Sequence, residues 1–91
     1  MGRAKDYKNI NKKSGEFIAL KRQATGMSQT EIAKLINVSR QQLSKYERGM
    51  DILSLPRLTQ ILDVLGITLS YYIENISDDS MHKASSEASK I

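Results

Sequence analysis

Cysteine is absent from the chain, so neither a disulfide framework nor a thiolate metal site is available to it, and a reducing cytoplasm is compatible with its composition. Histidine occurs once, as His82, with no second ligand at zinc spacing. No glycine-rich phosphate loop is present, and a lone histidine in a polar tail cannot serve a Ser-His-Asp set. Asp78-Asp79 is an adjacent carboxylate pair, but in so Ser-rich a tail it is expected to face solvent. The reading is of a chain that is not an enzyme and uses no metal or cofactor. No apolar run approaches the roughly 18 residues a membrane span needs. The opening MGRAKDYKNINKK contains no apolar segment that would act as a secretory signal. No segment alternates apolar and polar residues as a half-buried strand does, which leaves an all-α fold.

The 91 residues suffice for one domain with a single modest core, and the formal net charge is +4. Its distribution is uneven. Up to Arg22 the basic residues Arg3, Lys5, Lys8, Lys12, Lys13, Lys21 and Arg22 face only Asp6 and Glu16. From Glu74 onward Glu74, Asp78, Asp79 and Glu87 outnumber Lys83 and Lys90. A basic front and an acidic back fit a molecule with one side turned to a polyanion, though ordinary surface charge would look the same.

The strongest local signals lie between Ser28 and Gly49, in SQTEIAKLINVSRQQLSKYERG. Ser28-x-x-Glu31 is a capping box, with Met27 and Ile32 at the two positions of a hydrophobic staple. Ser39-x-x-Gln42 repeats the box, and Val38 with Leu43 repeats the staple. Two short helices follow, over about Gln29–Ile36 and Arg40–Arg48. Asn37 stands in the bend, where the backbone turns left-handed and asparagine is tolerated. Ala33 supplies the small side chain that two closely crossing axes need, and Gly49 takes the left-handed position after the last turn. Two helices joined by a turn of about three or four residues make a helix-turn-helix, and the second is expected to be the recognition helix of a DNA-binding protein.

Residues 1–13 have no sustained period and read as a flexible basic arm, able to follow a phosphate strand or enter a minor groove. A first helix is predicted from Ser14 to Thr25-Gly26, burying Phe17, Ile18, Leu20 and Ala24. The second buries Ile32, Ala33, Leu35 and Ile36, and the third Leu43 and Tyr46. In the loop from Gly49 to Leu53, Met50 and Ile52 are expected to be partly covered. A fourth helix opens at Ser54, with Leu53 and Leu58 as its staple and Pro56 in its first turn, where proline is tolerated. Leu55, Leu58, Ile61, Leu62 and Leu65 recur at helical spacing until Gly66. Ile67 and Tyr72 staple a short fifth helix that runs to about Ile76. Residues 77–91 are polar, charged and too poor in large apolar side chains to offset their ordering entropy, so disorder is expected there.

Helical geometry sorts the third helix. With Leu43 inward, about 100° per residue places Gln41, Lys45 and Arg48 opposite it and Gln42 and Ser44 on the flanks. Arg40 occupies the first turn, the part that points into the groove in this docking mode. Every side chain of this outward set can donate a hydrogen bond and none is acidic. Arginine and lysine suit guanine O6 and N7, and glutamine suits adenine N6 and N7. Arg40, Gln41, Ser44 and Lys45 are therefore assigned to base edges and Arg48 to phosphate. Gln42 is placed with the phosphate ligands but is undecided between phosphate and base. Glu47 lies on the inward half beside Leu43 and needs a cation there. In the last helix, Tyr71, Tyr72 and Ile73 cannot all turn inward. Tyr72 does, leaving Tyr71 and Ile76 as candidate dimer contacts, or as cover for the edge of helix one.

Over roughly residues 14–76 the sequence resembles the lambdoid phage repressor and Cro family of helix-turn-helix regulators. The likeness rests on Arg22, Gly26-Met27-Ser28-Gln29, Ile32-Ala33, Val38-Ser39, Leu43, Tyr46-Glu47-Arg48-Gly49 and Leu58-x-x-Ile61-x-x-x-Leu65-Gly66-Ile67. Asn37 departs from it, since the family usually has glycine there. The resemblance implies a compact five-helix domain with its third helix in the major groove of double-stranded DNA, and a homodimer on a palindromic operator. It implies that Gln29 caps a phosphate and that Arg22 pairs with Glu47. A cytoplasmic, nucleoid-associated transcriptional regulator is expected, a repressor in the first instance. The alternative is an antitoxin-like module of the same fold that acts through a protein partner held by the C-terminal tail.

Overall fold

Five α-helices and no strand make up residues 3–76, the part that the computed structural model describes, with side chains from residue 9 onward. They are α1 (Arg3–Thr25), α2 (Gln29–Leu35), α3 (Arg40–Glu47), α4 (Leu55–Leu65) and α5 (Leu69–Ile76). The predicted tail at 77–91, with His82 and the Asp78-Asp79 pair, lies outside the described residues.

The starts of α2, α3 and α4 have the chemistry their sequence announces. Ser28 caps α2 with both arms of the box in place: its Oγ accepts from the Glu31 amide at 3.0 Å, and Glu31 Oε1 accepts from the Ser28 amide at 2.8 Å. Ser39 caps α3 and Ser54 caps α4 through the amides of Gln42 and Arg57, at 3.0 and 3.2 Å. The second box, however, is only half closed, because the Gln42 side chain turns away to the loop beyond α3.

The α2–α3 bend is a Schellman ending. Asn37 takes φ 61°, its N–H reaches Lys34 O at 3.2 Å, and the next N–H, of Val38, reaches Ala33 O at 2.9 Å. Arg57, from α4, donates to the carbonyl of Ile36 at 2.8 Å, placing a cation on the C-terminus of α2. The remaining helix-to-loop transitions at Gly26, Gly49 and Gly66 repeat the same pair of backbone bonds.

The core lies where α1 crosses α3, α4 and α5 and α2 packs on α3 and α4. Phe17, Ile18, Ile32, Ala33, Ile36, Leu43, Leu58, Ile61, Leu62, Leu65, Tyr72 and Ile76 fill it. Phe17 meets Tyr72 edge to face with centroids 5.4 Å apart, a favoured aromatic geometry. The Tyr72 hydroxyl bonds the buried hydroxyl of Ser14; burial pushes the phenol's pKa up, and that bond partly opposes the shift.

Several expectations are corrected. The first helix begins at Arg3 rather than Ser14, so the segment read as an arm is helical from its third residue. At Lys12 it packs through backbone: a Cβ on Gly49 would stand 2.7 Å from the Lys12 Cα. Leu20 is 65% exposed, since it lies about 200° around the helix from the fully buried Ile18. Ala24 is exposed as well. Leu35, Met50, Ile52 and Leu55 are also exposed; Leu35 falls outside the arc defined by Ile32, Ala33 and Ile36.

Gly15 sits inside α1 at a close approach to α3. A Cβ there would collide with the carbonyl oxygens of both Tyr46 and Glu47, so α1 lies directly on the last turn of α3. Helix propensity alone would favour alanine at this interior position by about 1 kcal/mol. Contact reverses the sign: Gly15→Ala should lower stability by about 1–3 kcal/mol, as overpacking does, measured by urea denaturation of the full chain.

Candidate nucleic-acid interface

A polar network sets the orientation of α3. Glu47 is 7% exposed, and its carboxylate faces the interior. Arg22 Nε donates to Oε2 at 2.7 Å and Nη2 to Oε1 at 3.1 Å, the paired geometry in which guanidinium and carboxylate match best. Gln29 Nε2 adds a third donor to Oε1 at 2.9 Å. The remaining Arg22 nitrogen, Nη1, donates to Met27 O at 2.9 Å, so the same side chain also ties down the entry to α2. No buried side-chain nitrogen or oxygen is left without a partner among the described residues.

With Glu47 inside, Gln41, Lys45 and Arg48 are exposed on the opposite side of α3, and Ser44 and Gln42 are half-buried on its flanks. Arg48 Nε folds back onto Ser44 O at 3.3 Å. Arg40, in the first turn, is exposed, and its Nη1 donates to Gln29 Oε1 at 3.3 Å. Gln29 therefore touches both the buried carboxylate and the first residue of α3. It is half-buried rather than free, with its amide already oriented. The structure thus brings Arg22, Gln29, Arg40 and Glu47 into one chain of contacts and leaves Gln41, Lys45 and Arg48 on an open face.

Gln42 has a partner that the sequence reading did not assign. Its Nε2 donates to Asp51 Oδ2 at 2.8 Å, while Asp51 Oδ1 accepts from the Ile52 amide at 2.9 Å. The Gln42 amide and then the Ile52 amide hold the Asp51 carboxyl below its usual range, against an opposing effect of desolvation and with the charge of Lys45 adding least. Asp51 was not legible as part of the site because it lies beyond the helix.

The two candidate dimer contacts separate. Ile76 is 8% exposed and belongs to the core of its own chain, which corrects its assignment: α5 packs on α1 with Tyr72 and Ile76 inward. Tyr71 remains 43% exposed, its ring 6.1 Å from Phe17, and its hydroxyl accepts from Lys21 Nζ at 3.1 Å. Lys21 Nζ also stands 5.1 Å from the Tyr71 centroid, within cation–π range. Tyr71 thus covers the edge of α1 and still offers surface. Among the described residues no group of acids and histidines could hold a metal ion, and no helix is long and apolar enough to cross a membrane.

This arrangement of helices and polar contacts has counterparts. A family model described as helix-turn-helix matches residues 18–72. An uncharacterized HTH-type transcriptional regulator of Rickettsia prowazekii is 34% identical over 79 residues, 86% of this chain and 61% of that protein. One from Sinorhizobium fredii is 38% identical over 66 residues, 72% of this chain and 46% of that protein. An uncharacterized transcriptional regulator in the ATPase CF(0) region of Rhodospirillum rubrum is 34% identical over 62 residues, 68% of this chain and 57% of that protein. The chain belongs to the Cro/C1-type helix-turn-helix family of transcriptional regulators. It spans about half to three fifths of the length of these relatives.

The buried pair carries a stability prediction. Arg22→Ala strands the Glu47 carboxylate in the interior and should destabilise the fold by about 3–5 kcal/mol. The double variant Arg22→Met with Glu47→Met removes both charges and should lose clearly less than the sum of the two single changes, read from urea midpoints of the four proteins.

Proposed function

We propose that this chain is a sequence-specific regulator of transcription that binds double-stranded DNA as a homodimer and represses by occupying a palindromic operator. The observation that carries the reading is the outer face of α3. Gln41, Lys45 and Arg48 are exposed there, Arg40 and Ser44 adjoin them, and the helix's own acid, Glu47, is turned inside and neutralised. Such a face offers hydrogen-bond donors to guanine and adenine edges, and no carboxylate of the helix itself meets the phosphates.

In this reading α3 enters the major groove N-terminus first, with Arg40, Gln41, Ser44 and Lys45 on base edges and Arg48 on the backbone. Gln29 caps a phosphate at the start of α2. Its bonds to Glu47 and Arg40 support that role, because they fix the amide before DNA arrives and reduce the ordering entropy of binding. The two recognition helices of a dimer would address half-sites about one helical turn apart. Tyr71 is the aromatic residue of α5 still available for a subunit contact. A cytoplasmic location at the nucleoid follows from the same reading.

Selection of bound sequences from random duplex DNA tests the proposal as a whole, since it reports a motif, its symmetry and its spacing together. Lys45→Ala or Gln41→Ala should lose about 1–3 kcal/mol on the selected site and relax one base position. In titrations across salt concentrations, Arg48→Ala should weaken all sequences alike and lower the slope of log affinity against log salt by about one. Equal losses on selected and random DNA for Lys45→Ala and Gln41→Ala would remove them from base reading.

A further inference from the structure

We propose that Asp51, outside the recognition helix, is a specificity-determining positioning residue: by holding the amide nitrogen of Gln42 it makes that side chain a base-reading acceptor, selective for a base that carries an exocyclic amine. This rests on the DNA-binding reading above and deepens it.

A glutamine free to rotate its amide can offer a donor or an acceptor to the groove, and so discriminates poorly unless something orients it. Gln42 is oriented. The Asp51 carboxylate is itself anchored, Oδ1 on the Ile52 amide at 2.9 Å, which leaves Oδ2 to take Gln42 Nε2 at 2.8 Å. Ionised, that carboxylate has acceptor capacity only, so it can bind the amide nitrogen and never the amide oxygen. Gln42 Oε1 is thereby left for another partner.

Two consequences fix what that partner is. The amide oxygen cannot serve a phosphate, and although Nε2 keeps one hydrogen, the exposed Asp51 carboxylate on that nitrogen disfavours a phosphate beside it. In the major groove the donors presented by bases are the amines at N6 of adenine and N4 of cytosine, whereas guanine and thymine present O6, N7 and O4 acceptors. With Oε1 fixed as the acceptor, Gln42 favours adenine or cytosine at its position, and its second Nε2 hydrogen can add a bond to adenine N7. Lys45, one turn along α3, adds a weak attraction for the same carboxylate. The exposed bond is weak in water and strengthens once the groove excludes solvent around it.

The test is selection from random duplex DNA with the full chain as wild type, Asp51→Asn, Gln42→Ala and the double variant. Asparagine keeps the shape of Asp51 but removes its acceptor-only character, and both positions are at the surface, so folding can be checked by circular dichroism. The expected result is that the wild type prefers adenine or cytosine at one half-site position by about tenfold over guanine or thymine, in line with a single good base contact. Asp51→Asn and Gln42→Ala each flatten that position and no other, and the double variant matches Gln42→Ala. An unchanged motif in Asp51→Asn overturns the proposal and leaves the DNA-binding reading intact, as does a guanine or thymine preference at the position lost in Gln42→Ala. A uniform gain on all sequences, showing only relief of repulsion between Asp51 and phosphate, also overturns it. A wild-type chain that selects no motif overturns both readings.

Discussion

A carboxylate removed from water must be surrounded by donors or it destabilises the protein by several kcal/mol, and Glu47 meets that demand with groups from two other helices. Arg22 comes from α1, Gln29 from the first position of α2, and Glu47 itself from the last turn of α3. One side chain therefore joins the three helices that define the helix-turn-helix. It also sets the rotation of α3 about its own axis. With Glu47 and Leu43 inside, Lys45 lies about 200° around the helix from each of them, and the reading face has no freedom to turn.

Close backbone contact does for the position of α3 what the ion pair does for its rotation. Gly15 admits the last-turn carbonyls of α3 against α1, and one turn earlier along α1 the Lys12 backbone is admitted by Gly49. α2 and α3 are only 7 and 8 residues long, well below the length at which an isolated helix persists in water. They exist because Ile32, Ala33, Ile36 and Leu43 are buried against the rest of the domain. Folding of the domain and assembly of the exposed α3 face are thus one event, so substitutions in the buried network act on both.

Much of this was legible because local chemistry and tertiary packing agree. The caps at Ser28, Ser39 and Ser54, the left-handed Asn37 and the α4 stripe through Leu58, Ile61, Leu62 and Leu65 are each signalled by neighbours in sequence, and each occurs. The resemblance led to the Arg22–Glu47 contact; residue pattern alone asked only for some cation. The failures share a different cause. The N-terminal half of α1 packs through backbone at Lys12 and through a glycine, which no apolar period reveals. Leu20 and Leu35 are apolar side chains on the wrong arc of amphipathic helices, and composition does not report direction. Ile76 looked available because Tyr71, Tyr72 and Ile73 compete for one interior, but it is Ile76 and Tyr72, four apart, that share the inward face. Asp51 belongs to a loop whose course follows from the helices on either side, so its approach to Gln42 was invisible until the chain was folded.

The tie between Asp51 and Gln42 bears on how such a module could be retargeted. The exposed residues of α3 contribute little to the core, which would make the helix look interchangeable between regulators, its outer residues swapped to address a new operator. Yet the amide of Gln42 is bonded to a residue four positions past the end of the helix, across Gly49. A graft that stopped at Glu47 would transplant the side chain without the group that aims it. On the proposed reading, the unit of address in this chain is longer than α3 and reaches at least as far as residue 51.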